Sequence, residues 1–217
     1  MNTKILLICS MVVVSIFNID AVSAQSEQIF KLIEAGEIDE LETELKSGID
    51  TEATNQSGDT AILVAARNGN LDAIRLFVDF GANINAQDPK KRDVLNIAIT
   101  TRNNELAKLA LELGADPTAV TSVYDGGAII YGSAKGAVQI VDMLIKAGAR
   151  INHINNLGWS ALLEVAILGD GSADYIHIAK SLIAAGADKT QKDRDGRTAF
   201  DHAESRGHQQ LANILQF

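Results

Sequence analysis

The chain has 217 residues, 47% of them hydrophobic, enough apolar content for a buried core. Only 5% are aromatic, so Ala, Leu and Ile carry that content, which favours thin, closely packed helices over a thick sheet sandwich. The formal net charge is −9, and the chain lacks the clustered Lys and Arg that phosphate neutralisation requires, which argues against a nucleic-acid partner.

The first 24 residues differ from the rest. Lys4 supplies a short positive start, residues 5–17 are almost wholly apolar, and Val22-Ser23-Ala24 offers small residues before a cut between Ala24 and Gln25. The apolar run is too short to span a bilayer comfortably. This pattern predicts a secretory signal peptide over 1–24, with an uncleaved anchor as the alternative, and a periplasmic or secreted mature chain. Cys9, the single cysteine, lies inside that run. The mature chain is therefore expected to hold together without disulfides.

Beyond residue 24 one short phrase recurs: Gly48-Ile49-Asp50, Gly81-Ala82-Asn83, Gly114-Ala115-Asp116, Gly148-Ala149-Arg150 and Gly186-Ala187-Asp188. The leading glycines lie 33, 33, 34 and 38 residues apart. A fixed period of that size predicts a stacked array of repeats. The first repeat reads as two helices, about 27–35 and 38–46, separated by Gly36. Residues 27–59 carry ten acids against Lys31 and Lys46, read as a solvated cap or as a surface that steers a basic partner.

In the second repeat, Thr60 is placed to cap a helix. Ala61, Ala65 and Ala66 allow close helix approach. Gly69 breaks that helix, Leu71, Ile74, Leu76, Phe77 and Val78 form the buried stripe of the next, and Gly81 fits a left-handed helix end. The third repeat has Lys91 and Arg102 where glycines are expected, and the fourth has Asp125, so their turn geometry is open to question. Gly132 is expected to weaken the first helix of the fourth repeat by roughly 1 kcal/mol relative to Ala. The fifth contains about five extra residues near 168–175, and the sixth runs from Gly196-Arg197-Thr198 through Gly207-His208 to the end.

The run Gly58-Asp59-Thr60-Ala61-Ile62-Leu63-Val64-Ala65-Ala66, then Asn68-Gly69-Asn70, then Gly81-Ala82-Asn83-Ile84-Asn85-Ala86, resembles the ankyrin repeat. The resemblance implies an all-α solenoid of helix-turn-helix units with short β-hairpin fingers, preceded by the signal peptide. The domain is expected over 25–217, with units at about 25–54 (a cap), 55–87, 88–121, 122–154, 155–192 and 193–217. In ankyrin-like arrays the finger tips and first helices line a concave face that binds proteins. Carried onto this sequence, that face takes Gln56, Asp59, Arg67 and Asn68, then Lys90, Arg92, Thr100 and Thr101. Tyr124 and Lys135 follow in the fourth repeat, Leu157, Trp159, Ile167 and Leu168 in the fifth, and Arg194, Arg197 and Arg206 in the sixth. Leu157 and Trp159 flank Gly158 at a finger tip where polar residues are usual, and Tyr124 lies on the preceding finger. Exposed apolar clusters mark interaction sites, and Trp and Tyr dominate interface hot spots. The competing reading packs Trp159 against the 168–175 insertion as a local mini-core.

No catalytic pattern stands beside these. The sequence shows no Gly-rich phosphate loop, no His-Glu-x-x-His and no nucleophile elbow. His153, His177, His202 and His208 fall in different repeats without ligand spacing, and His208 reads as structural. Residues 170–174 resemble a calcium loop only faintly, lacking the alternating acids and closing Glu. The chain is therefore expected to be no enzyme and to need no cofactor or metal. It is expected to act as a monomer that binds another protein, regulating or protecting against a partner enzyme as an inhibitor or immunity protein does. The alternatives are an accessory or maturation factor for a periplasmic enzyme, such as a haem enzyme, or a passive scaffold.

Overall fold

Helix pairs alternate with tight turns throughout a computed structural model that describes residues 27–216. The proposed signal segment and Cys9 lie outside the described residues. The chain divides into two compact units, one ending at Asn83 and the other beginning at Ile84.

The first unit holds α1 (27–35), α2 (Ile38–Lys46), α3 (Ala61–Arg67) and α4 (Leu71–Asp79). Helix α2 packs on α4, and α3 packs on α4. Ala65 is fully buried, as are Ile62, Leu63 and Ile74. The α4 stripe is narrower than its sequence suggests: Ala73, Ile74 and Phe77 bury, while Leu71, Leu76 and Val78 stay partly open. Thr60 precedes α3 but does not cap it with its side chain, and its Oγ1 has no partner. The backbone supplies the acceptor instead, because the N–H groups of Leu63 and Val64 both donate to the Thr60 carbonyl.

The second unit holds α5 (Val94–Thr101), α6 (Asn104–Glu112), α7 (Ala128–Lys135), α8 (Val138–Lys146), α9 (Ala161–Leu168), α10 (Ala173–Ala184), α11 (Ala199–Ser205) and α12 (Gln209–Leu215). They form two layers. Helices α5, α7, α9 and α11 stack in one layer, and α6, α8, α10 and α12 in the other. Sequence composition explains the layering. In the first layer α5 buries Val94 to Ile99 and α9 buries Ala161 to Ala166 without interruption, whereas the shorter α11 buries only Ala199 and Ala203. Helices α6 and α8 bury only one stripe, such as Ile140, Val141 and Leu144 of α8. Gly132 fits this closeness. A Cβ there would stand 3.1 Å from Cγ2 of Val141, so the glycine that weakens the helix intrinsically also lets α8 approach.

Asparagine side chains tie successive repeats. Asn85 accepts the Asp116 N–H at 2.7 Å and donates to the Gly114 carbonyl at 3.4 Å. Asn152 repeats this with Asp188 at 2.8 Å and Gly186 at 2.9 Å.

Five tight turns precede the first helices of the second to sixth repeats. Each is built on one polar residue: Asn55, Asp88, Ser122, Asn155 or Asp193. Its side-chain oxygen accepts the N–H groups two and four positions on, as Asn155 Oδ1 does from Leu157 and Trp159 at 3.0 Å each. Its carbonyl accepts the N–H three positions on, from Gly58, Lys91, Asp125, Gly158 or Gly196. Lys91 and Asp125 adopt φ of 61° and 57°, and Arg102 adopts 52° at its helix break. The substituted glycines therefore leave the turns intact, with non-Gly residues held in the left-handed region. The hairpins reach only isolated bridges, Thr54 with Thr60 and Lys192 with Thr198, and no sheet forms among the described residues.

The extra residues of the fifth repeat make a four-residue loop and a longer second helix, the 12-residue α10. Tyr175 from α10 lies over Gly136, where a Cβ would meet its ring at 3.2 Å, and its hydroxyl donates to the Ala134 carbonyl at 3.1 Å. Arg206 donates to the Gly169 carbonyl at 2.9 Å. The insertion is thus fastened from both sides.

Candidate partner-binding groove

Within the second unit, the turns of the third, fourth and fifth repeats and the exposed faces of α5, α7 and α9 enclose a groove of about 390 Å³. Tyr124, Tyr131, Leu157, Trp159, Leu168 and Val123 form its apolar walls, and Lys90, Arg92 and Lys135 stand among its lining. Large hydrophobic side chains are exposed at only five described positions: Val123 55%, Tyr124 55%, Leu168 52%, Ile154 40% and Leu157 36%. Four of the five line this one groove. Leaving such groups in water costs roughly 25 cal/mol per Å², so their concentration in one concavity is a signature of an interface.

The groove sorts the sequence candidates. Tyr124, Leu157, Trp159, Leu168, Arg92 and Lys135 come together on it. Trp159 is half-buried and lines the groove with Leu168, where the insertion begins, while the insertion's Tyr175 packs on Gly136. Ile167 is half-buried and does not line it. Arg197 does not either: its guanidinium donates to the Asp201 carbonyl at 2.9 Å and to Ser205 Oγ at 2.6 Å. Arg67 and Asn68 belong to the first unit, where Arg67 pairs with Asp59 at 2.7 Å and Asn68 is exposed at the end of α3.

The cations of the groove differ in their bonding. Arg92 is clamped to Asp88 by two contacts, Nε at 2.7 Å and Nη2 at 2.6 Å from Oδ2. Burial alone would push the Asp88 carboxyl up, but the Arg92 N–H, the Arg92 guanidinium and the Lys90 N–H outweigh it and leave it below the usual carboxylate range. Lys135 holds its ammonium 5.6 Å from the centre of the Tyr131 ring, within cation–π range. No carboxylate of the described residues stands in ion-pair range of Lys90 or Lys135.

Sequence reasoning missed the groove's polar floor. Glu164 is 5% exposed; its Oε1 accepts from Asn155 Nδ2 at 3.2 Å, while its Oε2 is buried without a partner. Burial pushes its carboxyl up to about 7, with the Asn155 amide opposing only in part. Asn96 donates to the Thr121 carbonyl, leaving Asn96 Oδ1 and Thr121 Oγ1 buried and unpartnered. All three residues line the groove. A Glu in the middle of a helix reads as solvated, and only the convergence of α9 with two turns buries it. No cluster of three or more metal-ligating side chains occurs among the described residues, and none of their helices is long and apolar enough to cross a membrane.

Comparisons with known proteins agree with this architecture. The family model for ankyrin repeats in three copies matches residues 21–121 and 129–216. The ankyrin repeat protein YahD of Escherichia coli K12 is 32% identical over 184 residues, covering 83% of this chain and 90% of the relative. An ankyrin repeat domain from Acinetobacter baumannii AYE has a similar structure, with a TM-score of 0.81 and 34% identity over 87% of this chain and 95% of that one. A chain from the complex of a predatory endopeptidase from Bdellovibrio bacteriovorus with an immunity protein is similar at a TM-score of 0.68 and 26% identity, covering 86% of this chain and 95% of that one. With paired helices, glycine-ended repeats and asparagine ties in place, and with the family model matching most of its length, this chain belongs to the ankyrin-repeat family.

Proposed function

We propose that this protein is an exported ankyrin-repeat inhibitor, of the immunity type, that holds a periplasmic enzyme in the groove of its third to fifth repeats. The observation that carries the reading is the groove: four of the five exposed large hydrophobics among the described residues converge there beside the rings of Tyr131 and Trp159. Ankyrin repeats bind other proteins, and one structural neighbour comes from a complex of an endopeptidase with an immunity protein. The apolar stretch at 5–17 followed by Val22-Ser23-Ala24 supports export by a cleaved signal over 1–24. A monomer bearing one groove suits the blocking of a single enzyme.

Capture from periplasmic extract on the immobilised protein identifies the partner, and activity of that partner is then measured on mixing. Inhibition supports the proposal. A raised yield of active enzyme makes the protein a maturation factor, and unchanged activity makes it a scaffold. Trp159→Ala is expected to weaken binding by more than about tenfold, since aromatic anchors at a desolvated centre carry about 2 kcal/mol or more. An affinity within a factor of about two of the parent removes the groove from the interface.

A further inference from the structure

The groove's walls and charge say what kind of segment fits it. Its walls are apolar and aromatic, its two unpaired charges are the Lys90 and Lys135 ammonium groups, and Arg92 is already neutralised by Asp88. Three oxygens at its floor, Asn96 Oδ1, Thr121 Oγ1 and Glu164 Oε2, are buried without partners. Those atoms expose almost no surface, so the walls and the two ammonium groups select the occupant: apolar side chains with carboxylates beside them, a combination that a polypeptide segment supplies.

We propose that the groove receives an acidic–apolar segment of the partner polypeptide: a bulky apolar side chain seated between Tyr124, Trp159 and Leu168, with carboxylates beside it on Lys90 and Lys135. This rests on the groove being the partner site. Opposite charges across an interface set specificity and association rate more than raw affinity, so choice between partners is where the assignment shows itself. Near pH 6 burial favours the protonated form of Glu164, so its charge offsets the two lysines least there.

Trp159 is the single tryptophan of the chain, so its emission reports on this groove alone. The test titrates the purified protein at about pH 6 with two acetylated, amidated peptides, Asp-Glu-Phe-Leu-Asp-Glu and Lys-Lys-Phe-Leu-Lys-Lys. The acidic peptide is expected to shift the emission saturably with a Kd below about 1 mM and to bind at least about tenfold tighter than the basic one. In the Lys90→Glu, Lys135→Glu double variant, whose exposed side chains leave the fold undisturbed by thermal melting, the preference is expected to invert. Equal or tighter binding of the basic peptide overturns the assignment, as does failure of the acidic peptide to saturate below about 1 mM. The captured enzyme separates the two readings. If its affinity falls with Trp159→Ala while the acidic preference is missing, only the charge assignment falls. If Trp159→Ala leaves its affinity unchanged, the groove itself is not the partner site.

Discussion

The fifth and sixth repeats fill the same slot differently. In both, the polar residue that opens the turn reaches a helical side chain nine positions on: Asn155 to Glu164 at 3.2 Å, and Asp193 to His202 at 2.6 Å. In the sixth repeat the tie is closed. The Asp193 side chain is 5% exposed, burial would raise its carboxyl, and the Arg197 N–H and the His202 ring outweigh that and hold it below the usual range. In the fifth repeat the tie is half open, with Oε2 of Glu164 buried and unanswered at the floor of the groove. The sixth repeat thus answers both oxygens of its turn carboxylate, whereas the fifth leaves one oxygen of Glu164 unanswered.

The comparison assumes that both slots sit on one kind of helix stack, and that assumption carries the largest expected effect. Ala203 in α11 is fully buried and stands where Ala65 stands in α3. Ala203→Arg or Ala65→Arg buries an unpaired guanidinium and is expected to cost more than about 4 kcal/mol in urea unfolding. A parental unfolding midpoint in either variant breaks the stacking assignment.

Next comes the tie itself. Asp193→Ala removes the acceptor for the Asp195 and Arg197 N–H groups and strands His202, at an expected cost of about 2–3 kcal/mol. Asn155→Ala removes the equivalent turn acceptor but strands only a carboxyl that is already half unpartnered, so its cost should be smaller. Equal losses in the two variants would erase the distinction between closed and open ties.

Titration sharpens it further. Burial raises the folded Glu164 carboxyl to about 7, above its ordinary 4.5, and raises Asp93, which caps α5 through Asn96, to about 6. A carboxyl whose folded pKa is raised binds its proton more tightly in the native state. Stability from this source is therefore fully present below about pH 4 and is lost as pH rises toward 7. Glu164→Gln keeps the amide-compatible shape without the charge. It is expected to raise Tm at pH 8 by several degrees, on the order of 2–3 kcal/mol, and to leave Tm at pH 4 nearly unchanged. Calorimetry at the two pH values checks this, and a uniform shift at both would show that Glu164 is not held neutral.

The smallest effect concerns the turns. Lys91 holds φ of 61° at the position that Gly158 occupies in the fifth repeat. Lys91→Gly relieves that strain and is expected to gain about 0.5–1 kcal/mol, reduced by the greater freedom of glycine when unfolded. A loss of stability would mean that the lysine side chain contributes more than its 3.6 Å approach to Asp125 suggests.

The recurring Gly-Ala phrase and the apolar spacing between its copies were enough to read the helix pairs, since period and helix ends follow from local chemistry. Tyr124, Leu157, Trp159, Leu168, Arg92 and Lys135 could be placed on one face because register alone decides it. The departures at Lys91, Arg102 and Asp125 looked like risks to the turns. What the residue-by-residue reading did not weigh is the side-chain oxygen of Asp88 or Ser122, which fixes the turn from its first position. Glu164, Asn96 and Thr121 were illegible for a different reason. Their burial depends on three repeats closing together, and no local pattern in any one of them records it.

The asparagine ties have a consequence for how such a chain can lengthen. Asn85 and Asp116 meet across 31 positions of sequence, and Asn152 and Asp188 make the same contact across 36. The amide gauges only the end of the neighbouring module and is blind to whatever has been spliced in between. Extra residues can thus accumulate between the two helices of a module, as they have near 168–175, without shifting the modules on either side out of step.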